Sequence, residues 1–207
     1  PWNVIVLSLA VETEARQMAV EGHQLLQKAG LPQAARAVII ASETPIGKRA
    51  GAMFYESWRA LGGEAALPTD LALAGVYKFR SEIKKESPDL YFLAMDTDLA
   101  RLVRPIIGSA RPVLGTSLLS VGGSAAAPVR ELEEVRLLEM PAILSPSYAQ
   151  KLGYDAMPAD FSLEMQRLYC LGVDAMRVTR AFFSGNNPFQ FDGLSGRLAY
   201  DGRASQI

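Results

Sequence analysis

The stretch AVIIASETPIGKRAGAMFYESWRALGG, residues 37–63, decides the fold class of this chain. Its first five residues are apolar and rich in Cβ-branched side chains, as in strands that are covered on both faces of a sheet. The following residues recur at helical spacing and predict a helix that begins near Ile46 and stops at Gly62 and Gly63. Its predicted buried face comprises Ile46, Ala50, Met53, Phe54 and Leu61. A buried strand followed by an amphipathic helix is the building unit of α/β folds.

The same alternation extends outward in both directions. Short runs rich in Val, Ile and Leu predict further strands at Val4–Leu9, Leu90–Met95 and Pro112–Gly115, with a short strand at residues 64–67. Amphipathic patterns predict helices at residues 11–29, 76–86 and 99–107. The order βαβαβαβαβ predicts an α/β fold, with a doubly wound, mostly parallel sheet flanked by helices.

The character of the sequence changes after Gly115. A small-residue loop at residues 122–128 is followed by a predicted strand at residues 134–140 and by a proline-containing crossover or hinge at residues 141–160. A long helix is predicted at residues 162–182, and a strand, turn and strand at residues 189–200. One stripe of this helix comprises Met165, Leu168, Gly172, Ala175, Thr179 and Phe182.

The composition suits a globular chain without a polyanionic partner. Of 207 residues, 49% are hydrophobic, and 21 Lys and Arg residues nearly balance 22 acidic residues. The net charge of -1 therefore gives no reason to expect binding to nucleic acid or to an anionic membrane surface. The longest uncharged stretch, residues 112–129, is interrupted by Gly, Ser and Pro and predicts no membrane-spanning helix. Because the chain begins with Pro1 and carries no basic-then-apolar leader, we expect a processed or truncated piece of a longer protein.

Few residues are available for catalysis or metal binding. Cys170 is the only cysteine and His23 the only histidine, so a disulfide framework, a Cys/His zinc cluster and a histidine-dependent triad all lack parts. We expect Cys170 to be a buried, inert thiol and His23 to be structural or exposed. The sequence contains none of the motifs GxSxG, GxGxxG or HExxH. We therefore expect a protein that is not an enzyme and has no cofactor or metal.

The segment Ser42–Lys48 partly matches a phosphate-binding loop, because it joins a strand to a helix and ends in Gly-Lys. Ser42 stands where the first glycine belongs, and Arg49 stands where the magnesium-binding hydroxyl belongs. The alternative interpretation is that Ser42 or Thr44 caps the helix at Pro45. We favour the capping interpretation.

Polar side chains follow three of the predicted strands and form a candidate ligand cleft. They are Ser42, Glu43, Thr44, Asp96, Thr97, Thr116 and Ser117. Open α/β sheets bind ligands at the carboxyl ends of their parallel strands. Asp and Thr at these positions are also preferred helix caps, and this alternative remains open. Asp96 and Asp98 are one residue apart at a helix start, so we expect them to diverge rather than to form a metal or acid/base pair.

Several motifs, in order along nearly the whole chain, resemble the second half of the LppC lipoprotein family of penicillin-binding protein activators. They are Leu7–Leu9 with Glu12–Gln17, Ile46–Arg49, Phe54–Gly63, Glu131–Val135, Met140–Leu144 and Arg167–Arg177. The closing residues Asp192–Leu198 and Asp201–Arg203 resemble the ending of type I periplasmic binding proteins more widely.

The resemblance implies a type I periplasmic-binding-protein-like domain, here incomplete, in a periplasmic lipoprotein that is anchored to the outer membrane. It divides the chain into a crossover strand from a missing lobe (residues 1–9), one complete α/β lobe (10–145) and returning segments with a hinge, long helix and hairpin (146–207). It further implies activation of a bifunctional class A penicillin-binding protein in peptidoglycan synthesis, without chemistry by the lipoprotein. Membrane contact would occur only through a lipid anchor outside this chain.

Two functional hypotheses follow. In the first, the chain is an interaction module that binds the synthase through its surface. In the second, it is a solute-binding protein whose cleft holds an amino acid or peptidoglycan fragment. Asp96 would then bind the ammonium group, and backbone amides and hydroxyl groups would bind the carboxylate, because no Arg or Lys precedes Lys48 in these loops. A hydrolase ranks last for want of a nucleophile and base pair.

Overall fold

The computed structural model describes residues 7, 9–32, 34–83, 85–120, 130–155, 157–158, 160–185 and 188–201. These residues form two compact units. The first unit comprises the described residues from 10 to 138, and the second comprises those from 139 to 201 together with residues 7 and 9. The predicted strand at Val4–Leu9 and the predicted loop at residues 122–128 fall mostly or wholly outside the described residues.

The first unit is built on a parallel sheet. Its strands are β1 (Arg36–Ser42), β2 (Glu64–Ala65), β3 (Thr69–Leu71), β4 (Leu90–Ala94), β5 (Val113–Gly115) and β6 (Val135–Leu137). The strand order is β2-β1-β4-β5-β6, and β3 also pairs with β1. Every pairing is parallel, which confirms the sheet predicted from the sequence.

Helices cover both faces of this sheet. They are α1 (Val11–Lys28), α2 (Pro45–Ala60), α3 (Val76–Ile83) and α4 (Thr97–Ile107). Successive strand residues point to opposite faces: Ile39 belongs to a core with α1 and α2, whereas Ile40 belongs to a core with α3 and α4. The predicted fold class, an α/β fold with a doubly wound, mostly parallel sheet flanked by helices, is confirmed.

The core beneath α2 is centred on aromatic rings. Phe54 stacks on Phe92 with 3.9 Å between ring centroids, and Phe54 also stacks on Trp58. Trp58 is fully buried, and its Nε1 donates to the carbonyl oxygens of Ala35 and Glu64 at 3.2 and 3.1 Å. The prediction for this face was wrong at Ile46, which is 40% exposed at the first turn of the helix.

The second unit contains short helices, one long helix and a hairpin. The elements are α5 (Pro141–Leu144), α6 (Pro146–Lys151), α7 (Leu163–Phe183), β7 (Phe189–Asp192) and β8 (Arg197–Tyr200). The strands pair in antiparallel register, as the turn sequence between them predicts. The segment at residues 141–160, which we expected to be an irregular hinge, contains two short helices. Each helix begins at a proline, a residue that fits the first helical turn.

The buried face of α7 differs from the stripe found in the sequence. Cys170, Asp174 and Val178 are its buried residues, whereas Met165 and Leu168 of the predicted stripe are about half exposed. Periodicity located the helix but not its buried side, because apolar residues occupy both sides of α7.

The contacts divide the described residues between Leu138 and Glu139, whereas the sequence placed the boundary at residue 145. The organisation into residues 1–9, 10–145 and 146–207 stays a prediction about the whole protein. Within the described residues, none of the helices combines the length and the apolar character that crossing a membrane requires.

Candidate functional site

The seven candidate residues all lie at one edge of the first unit. Strands β1, β4 and β5 are adjacent and parallel, with Ala41 opposite Ala94 and Leu93 opposite Gly115. Their carboxyl ends therefore meet at the same edge of the sheet, where open α/β sheets place ligands. Ser42 to Thr44, Asp96 with Thr97, and Thr116 with Ser117 follow these three strands.

The loop after β1 is organised by its own hydroxyl groups. Thr44 is the N-cap of α2, and its Oγ1 accepts a hydrogen bond from the backbone N–H of Gly47 at 3.2 Å. Ser42 is buried, and its Oγ lies 2.7 Å from Thr44 Oγ1. A Cβ atom at Gly47 would lie 2.1 Å from Ser42 Oγ, so only glycine fits there. Thr44 is thus the helix cap that the capping interpretation of this loop predicted.

The remaining members of this loop point to no phosphate site. Lys48 Nζ forms an ion pair with Asp70 Oδ2 at 2.9 Å. Glu43 has an exposed side chain, and its backbone N–H donates to Leu71 O at 3.3 Å, which ties the loop to β3. The lysine of the Gly-Lys pair therefore balances a neighbouring carboxylate.

Asp96 and Thr97 begin the helix that follows β4. Asp96 is the N-cap of α4, and its Oδ1 accepts from the backbone N–H of Leu99 at 2.9 Å. Thr97 Oγ1 donates to Leu118 O at 3.4 Å, a long bond to the neighbouring loop. Among the described residues, no group of three His, Cys, Asp or Glu side chains is placed to hold a metal ion.

The loop after β5 binds a carboxylate that belongs to the chain itself. The backbone N–H of Ser117 donates to Glu14 Oε2 at 2.7 Å, and Ser117 Oγ donates to Glu14 Oε1 at 2.8 Å. Thr116 is fully buried, and its Oγ1 has no hydrogen-bond partner within the described part of the chain. Sequence reasoning missed Glu14, because a contact across 103 residues leaves no local signal.

The two side chains that most often carry chemistry, a thiol and an imidazole, are buried within the units rather than at the candidate edge. Cys170 is fully buried, and burial raises the pKa of its thiol to about 11. Its Sγ lies 3.8 Å from Met157 Sδ. His23 is buried against the edge of Trp58, with 5.9 Å between ring centroids. Neither residue belongs to the candidate edge, so the described part of that edge holds no thiol or imidazole.

The described surface also contains two depressions elsewhere on the first unit. One, of about 600 Å³, lies between α1 and β6 and is lined by Arg16, Val20, Arg136 and neighbouring residues. The other lies beside Arg104 and Glu134 at the end of α4. Neither depression includes a candidate residue.

Comparison with known proteins identifies solved structures that have the same fold. No protein-family model matches the chain, and no curated protein matches it. A solved structure of a putative branched-chain amino acid ABC transporter from Chromobacterium violaceum matches 98% of the chain and 64% of its own length, with 27% identity and a TM-score of 0.76.

The resemblance predicted from the sequence is confirmed among the solved structures. The C-domain of LpoA (YraM) from Haemophilus influenzae, a regulator of PBP1A, matches 92% of this chain and 59% of its own, with 17% identity and a TM-score of 0.65. Full-length LpoA from Haemophilus influenzae matches 97% of this chain and 38% of its own, with 18% identity and a TM-score of 0.68.

The chain therefore has a type I periplasmic-binding-protein-like fold, which it shares with LpoA and with ABC transporter components. It spans less than two thirds of the length of each structure compared here.

Proposed function

We propose that the chain is a non-enzymatic domain of a periplasmic, outer-membrane-anchored lipoprotein that binds and activates a bifunctional class A penicillin-binding protein. The observation that carries the proposal is the match of 92% of the chain to the C-domain of LpoA from Haemophilus influenzae, a regulator of PBP1A. The sequence motifs that resemble the LppC family, which extend from residue 7 to residue 177, support the same assignment.

The chemistry of the candidate edge supports a non-enzymatic role. Thr44 and Asp96 cap helices, and Ser117 donates to Glu14, so the hydroxyl and carboxylate groups of this edge stabilise the lobe. Nucleophilic catalysis needs a base within hydrogen-bond reach of a hydroxyl or thiol. The thiol of Cys170 is protonated at neutral pH because its pKa is about 11.

A direct binding titration tests the first half of the proposal. We expect the 207-residue chain to bind a purified class A penicillin-binding protein, and not a monofunctional transpeptidase used as a control. Specific, stable protein–protein complexes bury about 1,200–2,000 Å² of accessible surface in total. We expect a contact of this size, which needs no small ligand. Equal binding to both synthases, or to neither, would contradict the proposal.

A second candidate function is solute binding. It is favoured by the 27% identity to a putative branched-chain amino acid ABC transporter across 98% of the chain. In this alternative, Asp96 binds the ammonium group of an amino acid or muropeptide, and the groups at Ser42, Glu43, Thr44, Thr97, Thr116 and Ser117 line the cleft. A thermal shift of the chain with L-leucine separates the alternatives, because a ligand that binds only the folded state raises the midpoint of unfolding.

A further inference from the structure

The contact between Glu14 and Ser117 has the form of ligand recognition. One carboxylate oxygen accepts from a backbone amide at 2.7 Å, and the other accepts from the hydroxyl group of the same residue at 2.8 Å. Hydrogen bonds to an ionised acceptor are shorter and stronger than neutral ones, and the amide distance of 2.7 Å is short in this way. Both donors of Ser117 at the candidate edge are thus engaged by a carboxylate.

Glu14 is presented to this loop by a well-anchored helix. It lies in the first turn of α1, a helix whose residues Val11, Ala15 and Met18 are buried in the core. The Glu14 carboxylate therefore reaches Ser117 from a rigid base rather than from a loop. Beside it, Thr116 Oγ1 is buried without a hydrogen-bond partner among the described residues, which leaves one more hydroxyl group of this loop unused.

We propose that Glu14 is an autoinhibitory occupant of the carboxylate-binding position of the candidate cleft. This inference rests on the proposed cleft and deepens it. The carboxylate of a free amino acid reaches Ser117 only by displacing Glu14, and the negative charge of Glu14 repels an incoming carboxylate at that distance. The occupied position closes the cleft to free solutes and leaves the lobe available as a protein-binding module.

The variants Glu14→Ala and Glu14→Gln test this inference in the 207-residue chain. Glu14→Ala empties the position, and Glu14→Gln removes the charge while it keeps the shape of the side chain. The matched control is Glu12→Gln, because Glu12 lies in the same turn of α1 but pairs with Arg49 at 3.2 Å and not with Ser117. The double variant Glu14→Ala/Ser117→Ala tests whether a gained ligand uses the Ser117 hydroxyl group.

The probes are acetate and L-leucine, and the readout is the NMR chemical shift of the Ser117 amide. We expect that amide to titrate with acetate at least tenfold more tightly in Glu14→Ala than in the wild-type chain, and in Glu14→Gln to an intermediate degree. Glu12→Gln should behave as wild type, and the double variant should lose most of the gain. Tighter binding of L-leucine than of acetate would identify an amino-acid site rather than a general carboxylate site.

Equal titration of wild type and Glu14→Ala, or no response of either Glu14 variant, would overturn the inference. If Glu14→Ala does not fold, Glu14→Gln alone decides between these outcomes. The result is independent of the proposed function, because the titration against the penicillin-binding protein measures a different partner. Failure of that titration with success of this one would overturn the proposed activator function and leave this inference standing.

Discussion

At the scale of single residues, Asp174 links the long helix α7 to the turn between β7 and β8. It is fully buried in α7, and its carboxylate accepts from the backbone N–H groups of Leu194 and Ser195 at 2.9 and 2.8 Å and from Ser195 Oγ at 2.5 Å. A Cβ atom at Gly193 would lie 2.5 Å from Asp174 Oδ2, so the turn approaches the carboxylate closely. The Asp-Gly-Leu-Ser-Gly sequence is therefore explained by a contact within the fold.

Replacing Asp174 by Ala should destabilise the chain strongly. The change leaves buried amide groups without an acceptor, at about 1–3 kcal/mol for each unsatisfied group. Denaturant unfolding should show a loss of about 3 kcal/mol or more, whereas Asp155→Ala, at an exposed position of the same unit, should change stability little. Similar stabilities for the two variants would contradict the role assigned to Asp174.

Cys170 should be unreactive in the folded chain. Burial is the largest cause that raises the pKa of its thiol to about 11, so almost no thiolate, the reactive form, exists at pH 8. A thiol reagent should modify Cys170 only after denaturant is added. Rapid labelling of the native chain would contradict the burial of this residue.

The raised pKa of Cys170 also predicts the direction of a pH effect. The folded state holds the thiol proton more tightly than the unfolded state, whose pKa is near 9, so the contribution to stability is complete below pH 9 and is lost as pH rises toward 11. Between pH 9 and pH 11, the free energy of unfolding should fall by more in the wild type than in Cys170→Ala. The difference is on the order of 2–3 kcal/mol. Parallel pH profiles for the two proteins would contradict it.

At the scale of elements, the helices after β1 and β4 begin with side-chain caps. Asp96 caps α4 through Leu99, whereas Asp98 lies in the first turn of the same helix. We expect Asp96→Ala to cost about 1 kcal/mol of stability. Asp98→Ala should cost less, because it removes only a charge near the helix N-terminus. Thermal unfolding of the two variants measures the difference, and a larger loss for Asp98→Ala would argue against capping by Asp96.

The elements with strong periodicity were predictable, and their faces were less so. β1, β4 and β5, with α1, α2 and α4, follow from apolar runs and helical spacing, because burial on one or two faces imposes those patterns. β3 was missed, since Thr69–Leu71 is too short and too polar to form a pattern. Trp58 was overlooked as a core residue, although it is fully buried at helical spacing from Phe54.

The candidate site was predictable only in its position. Topology alone brings Ser42, Asp96 and Thr116 to one edge, because parallel strands end together. The hydrogen bonds within that edge were not predictable, since Glu14 reaches Ser117 from a helix that is distant in sequence. Local sequence therefore places polar residues at one edge of the sheet but does not report whether their hydrogen-bond donors are already engaged.

At the scale of the whole molecule, the fold is shared by proteins with different roles. LpoA from Haemophilus influenzae and a putative amino acid transporter component from Chromobacterium violaceum match nearly all of this chain. A common fold does not fix a common function, which resides in particular sites. Binding of the chain to a penicillin-binding protein and to L-leucine therefore has to be measured to distinguish an activator from a solute-binding protein.

The most direct test of the central claim is the transpeptidation rate of a purified class A penicillin-binding protein, measured alone, with the 207-residue chain, and with the longer lipoprotein proposed to contain it. We expect the lipoprotein to raise the transpeptidation rate. An excess of the 207-residue chain should reduce this stimulation, because the chain competes with the lipoprotein for the same surface of the synthase. A rate that neither protein changes, together with no binding of either to the synthase, would contradict the account.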